Sequence, residues 1–175
     1  MVRKCHQAGV PFGVVALTEG AEVRSARMPT ESFVTVGTLA TIEALETPQP
    51  GLINIRCTGT QRFQINRHEQ LKHGLWIADV QQLGDDLTVP VPLDLQKTAS
   101  ALLQVIQALQ LRTSDTEPLP LQTPWQLDDC GWVANRWCEL LPIPVALKQQ
   151  LMALDNPLVR LELVSDILTR AGIVT

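Results

Sequence analysis

The sequence predicts an α+β protein with a first half of short antiparallel strands and a helical second half. Three observations predict this. A Val-Pro-Val-Pro-Leu stretch from Val89 to Leu93 divides the chain into residues 1–90 and 91–175, read as two lobes joined by a short stiff connection. Before it, β-branched and aromatic segments follow one another across turn residues with no helical pattern between them, which favours an antiparallel barrel or curled sheet over a parallel α/β fold. After it, apolar residues recur at intervals of three and four. The whole is 175 residues, 45% apolar and 18% charged, a globular balance that excludes a wholly disordered chain.

In the first half, Met1 to Gln7 reads as a short helix with Gly9 as its stop. Phe12 to Leu17 is a continuous apolar run of strand length, expected to be buried, and Thr18 to Glu31 is a polar loop. Phe33 to Leu45 reads as a long strand bent or bulged at Gly37. Pro48, Pro50 and Gly51 make the next turn. Leu52 to Ile65 alternates around Thr58-Gly59-Thr60, the pattern of a hairpin or of a sharply bent strand. A last strand runs from Leu75 to Leu83, ended by Gly84-Asp85-Asp86.

In the second half, Leu102, Val105, Ile106 and Leu109 form the apolar stripe of a helix over Thr98 to Arg112. A loop with Pro118, Pro120 and Pro124 follows. Asp128 or Asp129 then caps a helix whose inner face carries Val133, Trp137, Leu140 and Leu141, stopped at Pro142. Pro144 and Asn156-Pro157 open two more helices, the last with Leu158, Leu161, Val164 and Leu168 inward and Gly172 at its end.

The composition removes several function classes. Fourteen Lys and Arg stand against 18 Asp and Glu, so no global attraction draws the chain to phosphate backbones, and nucleic acid is not an expected partner. The one local basic cluster is Arg56, Arg62, Arg67 and Lys72. No apolar run reaches the roughly 18 residues of a membrane span and the N-terminus lacks a secretory core, so a cytoplasmic location is expected. Cys5, Cys57, Cys130 and Cys138 show no paired spacing and read as reduced thiols, Cys57 and Cys138 as buried ones. No phosphate-binding Gly-x-x-x-x-Gly-Lys string occurs, which sets ATP hydrolysis aside. His6, His68 and His73 lack metal-ligand spacing, so neither metal nor cofactor is expected. His68 and His73, read as a turn pair, are the only groups placed to activate Cys57 in a small Cys/His hydrolase, and no third group or oxyanion hole supports that reading. Asp85-Asp86 and Asp128-Asp129 are read as turn and cap residues. Trp137 belongs on the core stripe, whereas Trp76, at a loop-strand junction, and Trp125, in the Pro-rich connection, are candidates for exposed ring faces.

Several segments, in order and spacing, resemble the N-terminal domain of Lon proteases, found also in stand-alone bacterial Lon-domain proteins. They are Met1-Val2-Arg3-Lys4-Cys5, Pro11-Phe12-Gly13-Val14-Val15, Val36-Gly37-Thr38-Leu39-Ala40-Thr41-Ile42, Leu52-Ile53-Asn54-Ile55 and Gly59-Thr60-Gln61-Arg62-Phe63-Gln64-Ile65. Leu75-Trp76-Ile77-Ala78-Asp79-Val80 and Leu154-Asp155-Asn156-Pro157-Leu158-Val159-Arg160-Leu161 extend the likeness across nearly the whole chain, and Leu127 to Ala134 looks like the short stand-alone members. The resemblance implies a six-stranded, antiparallel, barrel-like lobe, similar to the RNA-binding barrels associated with pseudouridine synthases, followed by a helical lobe.

It also implies a non-catalytic protein-binding module that engages unfolded or extended polypeptide segments, because in the full proteases this domain helps capture protein substrates. Their ATPase and Ser-Lys peptidase lie in later domains absent from these residues, so neither activity is expected here. Strand addition to a sheet edge and apolar contact in a groove between lobes are the two physical devices available, with Phe33, Trp76 and Trp125 as candidate contacts flanked by the Thr18 to Glu31 loop. An RNA-binding barrel is the alternative, through Arg56 and Arg62. Family members begin with an additional strand-forming segment ending in an acidic-x-Arg-Tyr motif, whereas this chain starts inside the helix that follows it. Either the start is truncated or misassigned, or this member lacks the opening strands; the second case implies an uncovered sheet edge, and with it self-association or poor solubility.

Overall fold

The computed structural model describes residues 1–20, 31–112, 121 and 123–174. The centre of the expected 18–31 loop, and Pro118 and Pro120, lie outside them. The chain divides into two compact units, Met1–Asp85 and Asp86–Thr175.

The first unit opens with helix α1 (Val2–Ala8), ended by Gly9 at φ 63°, whose N–H reaches back to the carbonyls of Cys5 and His6. This left-handed stop is cheap only for glycine. The helix lies against strand β4 (Val36–Gln49), which forms a long antiparallel hairpin with β5 (Leu52–Gln70). The turn is at Gly51, φ 85°. A four-stranded sheet results in the order β1-β4-β5-β6, with β1 at Phe12–Val14 and β6 at Trp76–Gln82. β2 (Leu17–Glu19) and β3 (Ser32–Phe33) form a separate two-stranded sheet. Six strands are therefore present among the described residues, all antiparallel, in two sheets rather than one closed one.

Local expectations need adjustment at three places. The apolar run Phe12 to Leu17 is not one buried strand: it splits into β1 and β2, and Val14 and Leu17 are exposed. The segment around Gly59 is the bent-strand alternative, since Gly59 pairs with Ala40 inside a continuous β5. Gly37 does not mark a bulge. It pairs directly with Phe63, and the register shifts fall after it, between Thr38 and Ala40 and again between Ile42 and Ala44. What requires glycine there is space. A β-carbon at position 37 would stand 2.5 Å from Phe63 Cζ, 2.6 Å from the Val14 carbonyl oxygen and 2.7 Å from Val15 Cγ1. Gly13 faces the same ring, with 3.0 Å to Phe63 Cζ for a β-carbon there. Two small residues on β1 and β4 thus make the seat in which the buried Phe63 ring lies.

The second unit holds the closed hydrophobic core. A 3-10 turn (Leu93–Leu95) leads into α2 (Gln96–Arg112), followed by α3 (Cys130–Leu140), α4 (Val145–Ala153) and α5 (Pro157–Arg170). Leu102, Ile106, Val133, Leu161, Val164 and Leu168 are wholly buried together, as the 3-4 spacing requires. Asp129 is the N-cap of α3: one carboxylate oxygen accepts from Trp132 N at 2.8 Å and the other from Val89 N at 3.0 Å, so a single residue caps the helix and holds the incoming chain. Trp137 is buried, and its indole N–H donates to the Thr98 carbonyl at 3.0 Å. Asn156 caps α5 with Pro157 in its first turn.

One buried group departs from the apolar pattern. Arg160, 1% exposed, ion-pairs with Asp86 and donates to Asn135 Oδ1 and to the carbonyls of Leu151 and Leu154. The guanidinium's planar fork matches this set of acceptors, which offset its desolvation. Asp86 is accordingly not a simple turn residue. It carries the counter-charge for the only charged side chain buried among the described residues.

Candidate functional site

The register of β5 and β6 determines what the first unit presents. Phe63 faces Gln82, Ile65 faces Val80, His68 faces Ala78 and Gln70 faces Trp76, while Arg67 faces Asp79 and Glu69 faces Ile77. A register shift between Ile65 and Arg67 inserts Asn66. Without that extra residue the two-residue period would send His68 to the face opposite Ile65, so the bulge keeps one apolar face continuous along both strands.

That face is the floor of a hollow of about 410 Å³, into which Leu17, Phe33, Phe63, Trp76 and Val80 project. Phe63 and Ile65 are buried at its base, whereas Leu17, Ile77 and Val80 at its walls are each 41% exposed. The hollow is therefore open to solvent and predominantly apolar. Covering it would release about 25 cal/mol for each Å² of apolar surface removed from water.

Three rings meet at one end. Phe33 of β3, His68 of β5 and Trp76 of β6 lie with ring centroids 4.9, 5.2 and 5.5 Å apart, all edge to face. Such contacts add to area burial and hold the rings in fixed directions. Of the sequence candidates, Phe33 and Trp76 are thus brought together, joined by His68, which sequence reading had placed in a turn with His73. His68 lies within β5 instead, and its inward direction depends on the bulge, which no residue pattern marks.

Trp125 belongs to the second unit, where it is half-buried against the helical core; its indole nitrogen is buried with no hydrogen-bond partner among the described residues. Cys57 is exposed on β5 rather than buried, and Cys138 is half-buried. Loss of solvent around the Cys57 thiol, with Glu43 nearby, pushes its pKa up, the wrong direction for a nucleophile. His68 is eleven residues further along the same strand, at about 3.3 Å per residue far outside hydrogen-bond reach of Cys57. The residues of the basic cluster are strung along β5 and the following turn, and Glu43, Glu46, Glu69 and Asp79 stand on the same sheet. Among the described residues no group of three or more His, Cys, Asp or Glu is arranged to hold a metal ion, and no helix is long and apolar enough to cross a membrane.

Antiparallel sheets carrying an open apolar face, followed by a helical unit, place the chain in the α+β class. The sequence profile of the ATP-dependent protease La (LON) substrate-binding domain matches residues 1–170, and the chain belongs to that family. Among solved structures it is similar to a Lon N-terminal domain protein from Xanthomonas campestris, with a TM-score of 0.65 and 24% identity over 94% of this chain and 80% of that one. It is also similar to the N-terminal domain of the Mycobacterium avium complex Lon protease, with a TM-score of 0.53 and 16% identity over 88% of this chain and 89% of that one. No curated protein sequence matches it significantly.

Proposed function

We propose that this chain is a non-catalytic receptor for polypeptides, taking unfolded or extended segments into the apolar hollow of its first unit. Membership of a substrate-binding family supports recognition as its role. The observation that carries the finer reading is the hollow itself, with Phe33 and Trp76 held by edge-to-face packing and apolar walls left in water. Folded proteins seldom leave such a face uncovered without a partner for it, and aromatic anchors in a depression are the usual source of affinity. Trp125 is proposed as a second contact on the helical unit. The mixed charges along β5 and β6 give an RNA backbone no continuous basic track, which favours protein over nucleic acid.

The test is a titration of the full chain into a fluorescently labelled, carboxymethylated and permanently unfolded protein, followed by anisotropy. Saturable binding at micromolar concentrations is expected, weakened about tenfold or more by Trp76→Ala. No binding at tens of micromolar would overturn the proposal. Equal binding by wild type and Trp76→Ala would remove the hollow from it.

A further inference from the structure

We infer that the outer edge of β6 accepts an added antiparallel strand, supplied by an extended segment with apolar side chains at alternate positions and a basic residue facing Asp79. The inference rests on the receptor reading above and names how the occupant is held. β6 ends the sheet order, and among the described residues it pairs only with β5; the next residue, Leu83, turns its N–H back to the Arg62 carbonyl. Among the described residues, none of the groups on the far side of Trp76–Gln82 has a hydrogen-bond partner. Such a row of donors and acceptors is satisfied by water or by another backbone.

Edges of natural sheets are ordinarily blunted by Lys, by Pro or by a bulge in the edge strand. β6 has none of these. Its sequence Trp-Ile-Ala-Asp-Val-Gln-Gln contains one charge, and the bulge of this pair lies in β5. The edge is seven residues long, about 23 Å at the usual strand rise. Trp76, Ala78 and Val80 occupy alternate positions on the face of the hollow, and Ile77 between them reaches its rim. A strand added beside them would therefore lay every second side chain over the hollow while its backbone completed the ladder.

Charge separates the possible occupants. Asp79 is exposed, and its cross-strand neighbour on β5 is Arg67. On its free side a Lys or Arg is favoured and an acidic residue disfavoured. Two copies of β6 can pair all seven residues antiparallel in only one register, the one centred on Asp79, which sets carboxylate against carboxylate. The geometry thus favours a different segment over a second copy of the chain.

The test uses the full chain and a labelled peptide, Val-Thr-Val-Lys-Val-Thr-Val behind a Gly-Ser spacer, read by anisotropy. Two further peptides carry backbone N-methyl groups on the odd or on the even residues. In an antiparallel ladder alternate N–H groups point at the neighbour, so one methylated peptide is expected to lose tenfold or more and the other to stay within about threefold. Replacing the central Lys by Glu is expected to weaken binding several-fold, and Asp79→Lys to reverse that order. Equal loss or equal retention by the two methylated peptides, or no change in charge preference with Asp79→Lys, would overturn strand addition. Failure of every peptide while the unfolded protein still binds would overturn it and leave the receptor reading standing, whereas failure of both would end both. A dimer in sedimentation that the peptide does not displace would assign the edge to a second copy.

Discussion

The two units solve the burial problem differently. In the helical unit sixteen apolar residues form one buried cluster, many of them with no exposed surface at all. In the β unit only Ala40, Ile42, Phe63 and Ile65 are buried among the described apolar residues, and Leu17, Ile77 and Val80 stay in water around a hollow. The same chemistry that closes one unit is left unfinished in the other. Stability and recognition draw on the same apolar surface, and the proposed receptor face lies in the unit that keeps some of it exposed.

The largest expected effect tests how the closed unit tolerates its one buried charge. Arg160→Ala removes the ion-pair partner of Asp86 and three further hydrogen-bond donations, to Leu151, Asn135 and Leu154, at once, and should cost about 3 to 5 kcal/mol, measured by urea unfolding of the helical signal. Arg160→Met, which restores bulk without charge, should recover part of that loss if Asp86 is changed to Asn in the same chain. Equal stability of Arg160→Ala and wild type would show that the network contributes nothing. The next effect belongs to the β unit. Gly37→Ala drives a methyl group into the Phe63 ring and the Val14 carbonyl and should cost about 1 to 3 kcal/mol, with loss of hydrogen-exchange protection confined to residues 1–85. Phe63→Leu added to Gly37→Ala should return some of the stability, because the ring edge is among the atoms overlapped. A smaller loss, about 1 kcal/mol, is expected for Asn156→Ala, whose side chain accepts from the N–H groups of Leu158 and Val159 at the start of α5.

How much of this was legible in the sequence follows the same division. Helix positions, their caps at Asp129 and Asn156 and the stripe from Leu102 to Leu168 are local signals, fixed by spacing and by the side chain next to the cap, and they appear where they were read. The strands were harder. Whether Gly59 turns or continues is decided by Ala40, nineteen residues away, and the meaning of Gly37 lies in Phe63 across the hairpin. Arg160 was invisible because a charged residue on an apolar helix face reads as solvated until Asp86, far earlier in the chain, is folded against it. In the candidate site, the aromatic residues Phe33 and Trp76 stood out by type, but the third ring, His68, depended on a bulge. Burial of Cys57 was expected from its apolar neighbours and failed because β5 is solvated on that face.

The cysteines turn the contrast between units into a rate. Cys57 on the β unit is exposed, whereas Cys130 is wholly enclosed in the helical core with its thiol directed at the Pro90 carbonyl, 3.5 Å away. Desolvation raises both thiol pKa values, aided at Cys57 by Glu43 and at Cys130 by Asp129 and Glu162. A raised thiol pKa means less thiolate at neutral pH, so labelling of Cys57 by iodoacetamide in the native protein should be slower than that of an unperturbed thiol, and should keep accelerating as pH rises past the ordinary thiol range. Glu43→Gln removes the repulsion and should speed it modestly at pH 7. Cys130 should react only through opening of the helical unit, at the open population multiplied by the thiolate reaction rate there, and so far more slowly than Cys57 at every pH where the unit is folded. If Cys130 were labelled in the native state as readily as Cys57, the helical core would be as open as the β unit, and the division of labour between closed core and open face would fail with it.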